Sequence, residues 1–165
     1  DDQPALDVYL NFFDPPQEVR DDPQAFADFA AVHPIGIRRR DRIEMRHITG
    51  FDLNQRALVM VAEVPQGALA FLTEGDYGSV LEAAAESASS AVEALGDAAP
   101  AGLLLFDCVS RRSIFGDRHV QEETDLISRC CGGAPMAGFY TYGEIARTKG
   151  SGGFHNQTLV TLAIG

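Results

Sequence analysis

The sequence predicts an α+β fold, a largely antiparallel or mixed sheet packed by helices, with elements in the order αα, βββ, α, β, α, ββ. Three observations carry this. Apolar residues recur at helical spacing in the opening segments and in an alanine-rich stretch near the middle, while between Pro34 and Leu72 the period changes to two. A continuous apolar run, Leu103–Leu104–Leu105–Phe106, then sits between turn residues as a buried strand does. Strands come in runs instead of alternating strictly with helices, which argues against a doubly wound parallel sheet.

Leu6, Tyr9, Leu10 and Phe13 mark one face of a first helix, which Pro15–Pro16 ends because proline cannot continue the hydrogen-bond ladder. Asp22 caps a second helix with Pro23 at its first position, and Phe26, Phe29 and Ala30 repeat the pattern until His33–Pro34. Segments 44–52 and 56–64 alternate around the turn Leu53–Asn54–Gln55, and Pro65–Gln66–Gly67 turns the chain into Ala68–Leu72, so an antiparallel meander is expected. The basic run Arg38–Arg39–Arg40–Asp41–Arg42 reads as a solvated loop between strands, with a local anion site as the competing reading.

Asp76 caps a long helix whose face carries Tyr77, Val80, Leu81, Ala84, Ala88, Ala91, Val92 and Leu95, with Gly96 as its stop. The 103–106 strand is expected at the centre of the sheet and buried on both faces. A helix follows over 119–129 with Val120, Leu126 and Ile127 as inward positions, then strands over 136–142 and 158–164. Lys149–Gly150–Ser151–Gly152–Gly153 lacks the order of a phosphate-binding loop and reads as a mobile connection.

At 165 residues the chain fits one domain with a core of its own. A net charge of -11 lacks the basic footprint that a nucleic acid or an anionic membrane surface requires. Three cysteines, two of them adjacent, make a poor disulfide framework and fit a reducing, cytoplasmic setting. No apolar run approaches membrane-spanning length, and no basic leader precedes one. The chain begins in helix-like sequence and stops just after a strand, so both ends read as cuts within a longer protein.

The densest polar segment is Gly138–Phe139–Tyr140–Thr141–Tyr142–Gly143–Glu144–Ile145, followed by His155–Asn156–Gln157–Thr158. Strand period places Tyr140 and Tyr142 on one face, where they either bury satisfied hydroxyls or line a pocket. Gly143 permits an unusual backbone beside Glu144, the single residue that reads most strongly as functional. Upstream, Cys108 is either a small buried hydrophobe or a thiolate with a cationic neighbour. Arg111 offers a planar fork for a ligand carboxylate, or an ion pair with Glu122 or Glu123, of which at most one can face the sheet. His155 stands alone, without a second histidine or cysteine pair at metal spacing, so neither metal nor cofactor is expected.

These pieces in this order resemble the C-terminal half of the FIST sensory domain family. The resemblance rests on Pro4–Ala5–Leu6–Asp7–Val8–Tyr9, Val64–Pro65–Gln66–Gly67, Cys108–Val109–Ser110–Arg111, Glu122–Glu123 and the two segments just described, and so covers nearly the whole chain. It implies an intracellular domain that senses a small ligand, amino acids being the implied class, with an N-terminal FIST half and signalling output domains as partners. Cys108, Arg111, Tyr142, Gly143, Glu144, His155 and Asn156 match motif positions. Joined to the physical reading, they suggest a zwitterion clamp, with Arg111 on the ligand carboxylate, Glu144 on its ammonium, and Tyr142, His155 and Asn156 orienting it. Two other functions compete with the sensor: a protein-interaction module, and a hydrolase with Cys108 as nucleophile, His155 as base and Glu144 as orienter.

Overall fold

The structure, a computed structural model, describes residues 3–39, 42–116, 119–148 and 151–165. It is an α+β fold whose chain divides into two compact units, Asp1–Gly75 and Asp76–Gly165, where length alone suggests a single domain.

The first unit opens with three helices, α1 (Ala5–Phe13), α2 (Gln17–Asp21) and α3 (Pro23–Val32). The side chain of Asp22 accepts from the Ala25 amide at 2.8 Å, so the expected cap is in place with Pro23 behind it. The short α2 was not expected, because five residues are too few to show a period. Strands β1 (Ile35–Arg39), β2 (Arg42–Arg46), β3 (Ile48–Asp52), β4 (Ala57–Met60) and β5 (Ala70–Leu72) follow. They do not form one meander: β1 lies between β2 and β5, and β3 pairs with β4 in a separate two-stranded sheet. Leu6, Tyr9, Phe26, Ala30, Ile37 and Ile48 make the core of this unit.

The basic run is not a free loop. Arg38 and Arg39 belong to β1, with the Arg38 guanidinium 5.5 Å from the Phe71 ring centroid, and Arg39 lies 3.7 Å from Glu44. Arg42 begins β2, while Arg40 and Asp41 lie outside the described residues.

The second unit begins with α4 (Tyr77–Glu93), where Asp76 and Ser79 form a reciprocal capping box. After it come β6 (Gly102–Cys108), α5 (Val109–Phe115), α6 (Val120–Cys130), β7 (Met136–Thr141), β8 (Glu144–Thr148), β9 (Ser151–His155) and β10 (Leu159–Ile164). As expected, β6 is central: the sheet order is β10-β6-β7, with β6 antiparallel to β10 and parallel to β7. The parallel pair needs a crossover, and α5 and α6 provide it.

Among the described residues of this unit, the helices pack on one face of this sheet. Ala84 and Ala88 of α4 and Ile127 of α6 pack against Leu103 and Leu159, so alternate β6 residues turn toward the helices. The other face carries Leu104 at 37% exposure, beside Phe139 at 64% and Leu162 at 52%. The apolar run therefore does not report burial on both faces, because helices cover the sheet from one side alone. The segment read as a mobile connection contributes Ser151–Gly153 to β9, which pairs antiparallel with β8, whereas Lys149 and Gly150 lie outside the described residues. Two adjacent glycines had masked the strand pattern.

Gly138 fixes the approach of β7 to β6. A Cβ there would stand 2.3 Å from the Leu105 carbonyl oxygen, so no other residue fits without moving a strand. Gly138→Ala is expected to destabilise the protein by about 1–3 kcal/mol, as overpacked sites do; a urea midpoint unchanged from wild type would contradict this contact.

Candidate functional site

Two polar groups meet at the C-terminal ends of β6 and β7, one on each side of the sheet. On the helix side, Arg111 is 1% exposed despite its charge. It reaches this position because α5 starts directly after Cys108, so residue 111 lies one turn into a helix that rises from the strand end. Its Nε donates to Asp107 Oδ1 at 2.7 Å, and its Nη2 donates to Glu123 Oε1 and, at 3.3 Å, to the Val80 carbonyl. Glu123 is thus the inward member of the Glu122–Glu123 pair. Glu122 is exposed, accepting from the Tyr77 hydroxyl and lying 3.0 Å from His119 Nδ1.

Two carboxylates against one guanidinium leave an excess negative charge in a buried place. Burial above all, with Glu123 adding to it, pushes the Asp107 carboxyl up to about 7 against the pull of Arg111. Tyr140 stands opposite Asp107 in the β6/β7 register, and burial and the two acids raise its phenol as well. The Arg112 guanidinium lies 5.4 Å from the Tyr140 ring centroid.

Below this trio lies a cavity of about 310 Å³, at the small end of ligand pockets. Leu105, Val120, Ile127, Met136 and Leu159 form its apolar wall, and Asp107, Glu123, Thr124 and Tyr140 its polar lining. Arg111 does not line it.

Past the strand ends, Glu144 is buried and accepts from two hydroxyls, Thr141 Oγ1 and, at 2.7 Å, Thr158 Oγ1. Gly143, at φ 150°, makes the bend before it, and a Cβ there would stand 2.2 Å from the Phe154 ring. His155 is paired across the β8/β9 ladder with Glu144, but its Nε2 lies 3.3 Å from the Ala146 carbonyl. Cys108 is buried with its Sγ 3.1 Å from Ser110 Oγ. Asn156 is 1% exposed, and its Oδ1 has no hydrogen-bond partner.

The residues marked in the sequence thus fall into two sets. Arg111 and Tyr140 belong to the helix-side trio; Glu144, His155 and Asn156 gather beyond the strand ends, with Gly143 shaping the bend. Tyr142 joins neither: β7 ends at Thr141, and Tyr142 is 86% exposed in the bend that follows, so it shares no strand face with Tyr140. The zwitterion clamp does not assemble as drawn, because Arg111 already holds two protein carboxylates and both Glu144 oxygens accept from threonines. The sequence places Asp107 with Cys108 at the end of the buried strand and has Thr141 and Thr158 within its motifs, but assigns none of the three a role. Their signal is a polar residue at each place where a strand meets a turn.

An α+β fold with an acidic cavity beneath a mixed sheet sets the class. The chain belongs to the FIST C domain family, whose model matches residues 5–147. A sensory role is ascribed to that family. The matched range holds the Arg111 trio and Glu144, while His155, Asn156 and Thr158 lie beyond it. No curated protein and no solved structure matches the chain.

Because the folded Asp107 carboxyl titrates above its unfolded value, stability from this group is complete below pH 4 and falls as pH rises toward 7. Asparagine at this position imitates the protonated acid. Asp107→Asn should therefore gain about 2 kcal/mol on wild type between pH 5 and pH 8; parallel urea curves at the two values check it. Thr158→Val, which takes a donor from buried Glu144, should cost about 1–3 kcal/mol, and a loss below 0.5 kcal/mol, the ordinary surface effect, would deny that bond its place.

Proposed function

We propose that the chain is a non-catalytic, cytoplasmic sensory domain that binds a small metabolite of amino-acid or amine class in the cavity beneath β6 and β7. The observation that carries this reading is the cavity itself: about 310 Å³, lined mostly by apolar side chains together with two acids, Asp107 and Glu123. That division of surface suits a molecule with an apolar stem and one polar head. Family membership supports a sensory role, and in that role an N-terminal FIST half and attached signalling domains would receive the output. Among the described residues no helix is long and apolar enough to cross a membrane, and no group of three or more His, Cys, Asp or Glu side chains could hold a metal ion.

The enzyme reading has less support. Cys108 contacts Ser110, His155 Nε2 faces the Ala146 carbonyl, and Glu144 is held by two threonines, so each group of that trio is engaged outside it. An interaction module is favoured by one observation, the exposed apolar sheet face around Phe139 and Leu162, and such a surface coexists with a ligand site on the other face.

A thermal-shift screen with amino acids and small amines tests the proposal. A ligand at 100-fold over its dissociation constant should add about 2.7 kcal/mol of stability. The gain should vanish in Thr124→Phe, which fills the cavity from its rim. Binding that survives this substitution, or no shift with any compound, would defeat the cavity as the site.

A further inference from the structure

We propose that this cavity selects a protonated amine over a free carboxylate, the ligand's ammonium being held by the two acids that line it, Asp107 and Glu123. The inference rests on the cavity being the sensory site and adds the class of head group that it accepts.

The argument begins with what faces the ligand. Arg111 sits behind the two acids, taking one oxygen of each, and does not line the cavity. The lining therefore includes Asp107, Glu123 and Tyr140, with no guanidinium among them. An ammonium has three donors and no acceptor, and suits the second oxygen of each acid. A ligand carboxylate in the same place would meet like charge in a dry site, which disfavours it strongly. The apolar wall of Leu105, Ile127, Met136 and Leu159 then suits an alkyl stem.

Charge count gives the proton coupling. With the cavity unliganded, two acids and one guanidinium are balanced when the raised Asp107 carboxyl carries its proton. An arriving ammonium brings the same positive charge to the same oxygens. The carboxyl O–H bond breaks, the proton leaves to solvent, and the net charge of the site is unchanged. Every element around Asp107 is accounted for: α5 supplies Arg111, α6 supplies Glu123, β7 supplies Tyr140 with Arg112 over its ring, β10 places uncharged Leu159 opposite, and α4 offers Arg111 the Val80 carbonyl. Since the carboxyl titrates near pH 7, the ligand competes with the proton below that value and not above it.

Isothermal titration calorimetry of the full chain with isoamylamine, leucine and isovalerate, at pH 6 and pH 8 and in two buffers of different ionisation enthalpy, tests this. The amine should bind at least tenfold tighter than the acid. Its affinity should rise about tenfold from pH 6 to pH 8, and close to one proton should be released at pH 6. Glu123→Gln, which keeps an acceptor for Arg111, should weaken the amine at least tenfold. Isovalerate binding as tightly as the amine, or a heat at pH 6 that does not depend on the buffer, would overturn the inference and leave a small-ligand sensor standing. Binding by none of the three probes would overturn both readings, and the wild-type titrations decide between these results even if Glu123→Gln fails to fold.

Discussion

The second unit is organised around one buried guanidinium. Arg111 ties the end of β6, through Asp107, to α6, through Glu123, and to α4, through the Val80 carbonyl. Such a charge is tolerated inside a protein only when it is paired and its donors are used, and this one meets both conditions. The position is also determinate: because α5 begins at Val109, residue 111 cannot swing away from the strand that delivers Asp107. The cavity lies beside this arrangement, with Glu123 and Ile127 of α6 and Asp107 of β6 all in its lining.

The polar character does not stop at the sheet. The Asp107 side chain points toward the helices, but its carbonyl oxygen accepts from Thr141 Oγ1 at 3.2 Å, and the same hydroxyl contacts Glu144. Thr158 reaches Glu144 from the next connection. A line of hydrogen bonds therefore runs from Arg111 through the end of β6 to the turn before β10. Strand alternation makes this possible, because the backbone at a strand end is shared by both faces. Among the described residues of this neighbourhood, Asn156 has a buried acceptor, its Oδ1, without a hydrogen-bond partner.

Much of the fold was legible because its signals are local. Asp22–Pro23 and Asp76 announce helix starts through backbone chemistry that no tertiary contact overrides, and the 103–106 run could only be a strand of the sheet centre. What was not legible depends on distant partners. Nothing in Leu104 or Phe106 says whether a helix lies over them. The strand over 151–155 was hidden by its glycines, and Tyr142 shares strand parity with Tyr140 but falls one residue past the ladder. The site shows the same division. Glu144, His155 and Asn156 were identifiable as polar groups crowded around a glycine turn, but the role of Arg111 was not, because an ion pair and a ligand clamp use the same chemistry and differ only in which carboxylate arrives. That carboxylate comes from residue 123, twelve positions away on another helix.

The one-sided sheet has a thermodynamic consequence. Leu104, Phe139, Leu162 and Ile164 already keep part of their surface in water in the folded state, so unfolding hydrates only the remainder. The heat capacity of unfolding is set by newly exposed apolar area, and these side chains contribute less to it than fully buried ones would. The second unit should consequently have a shallow stability curve, with enthalpy and entropy of unfolding that vary slowly with temperature. Its stability would then vary less between the cold and physiological temperature than that of a unit buried on both faces.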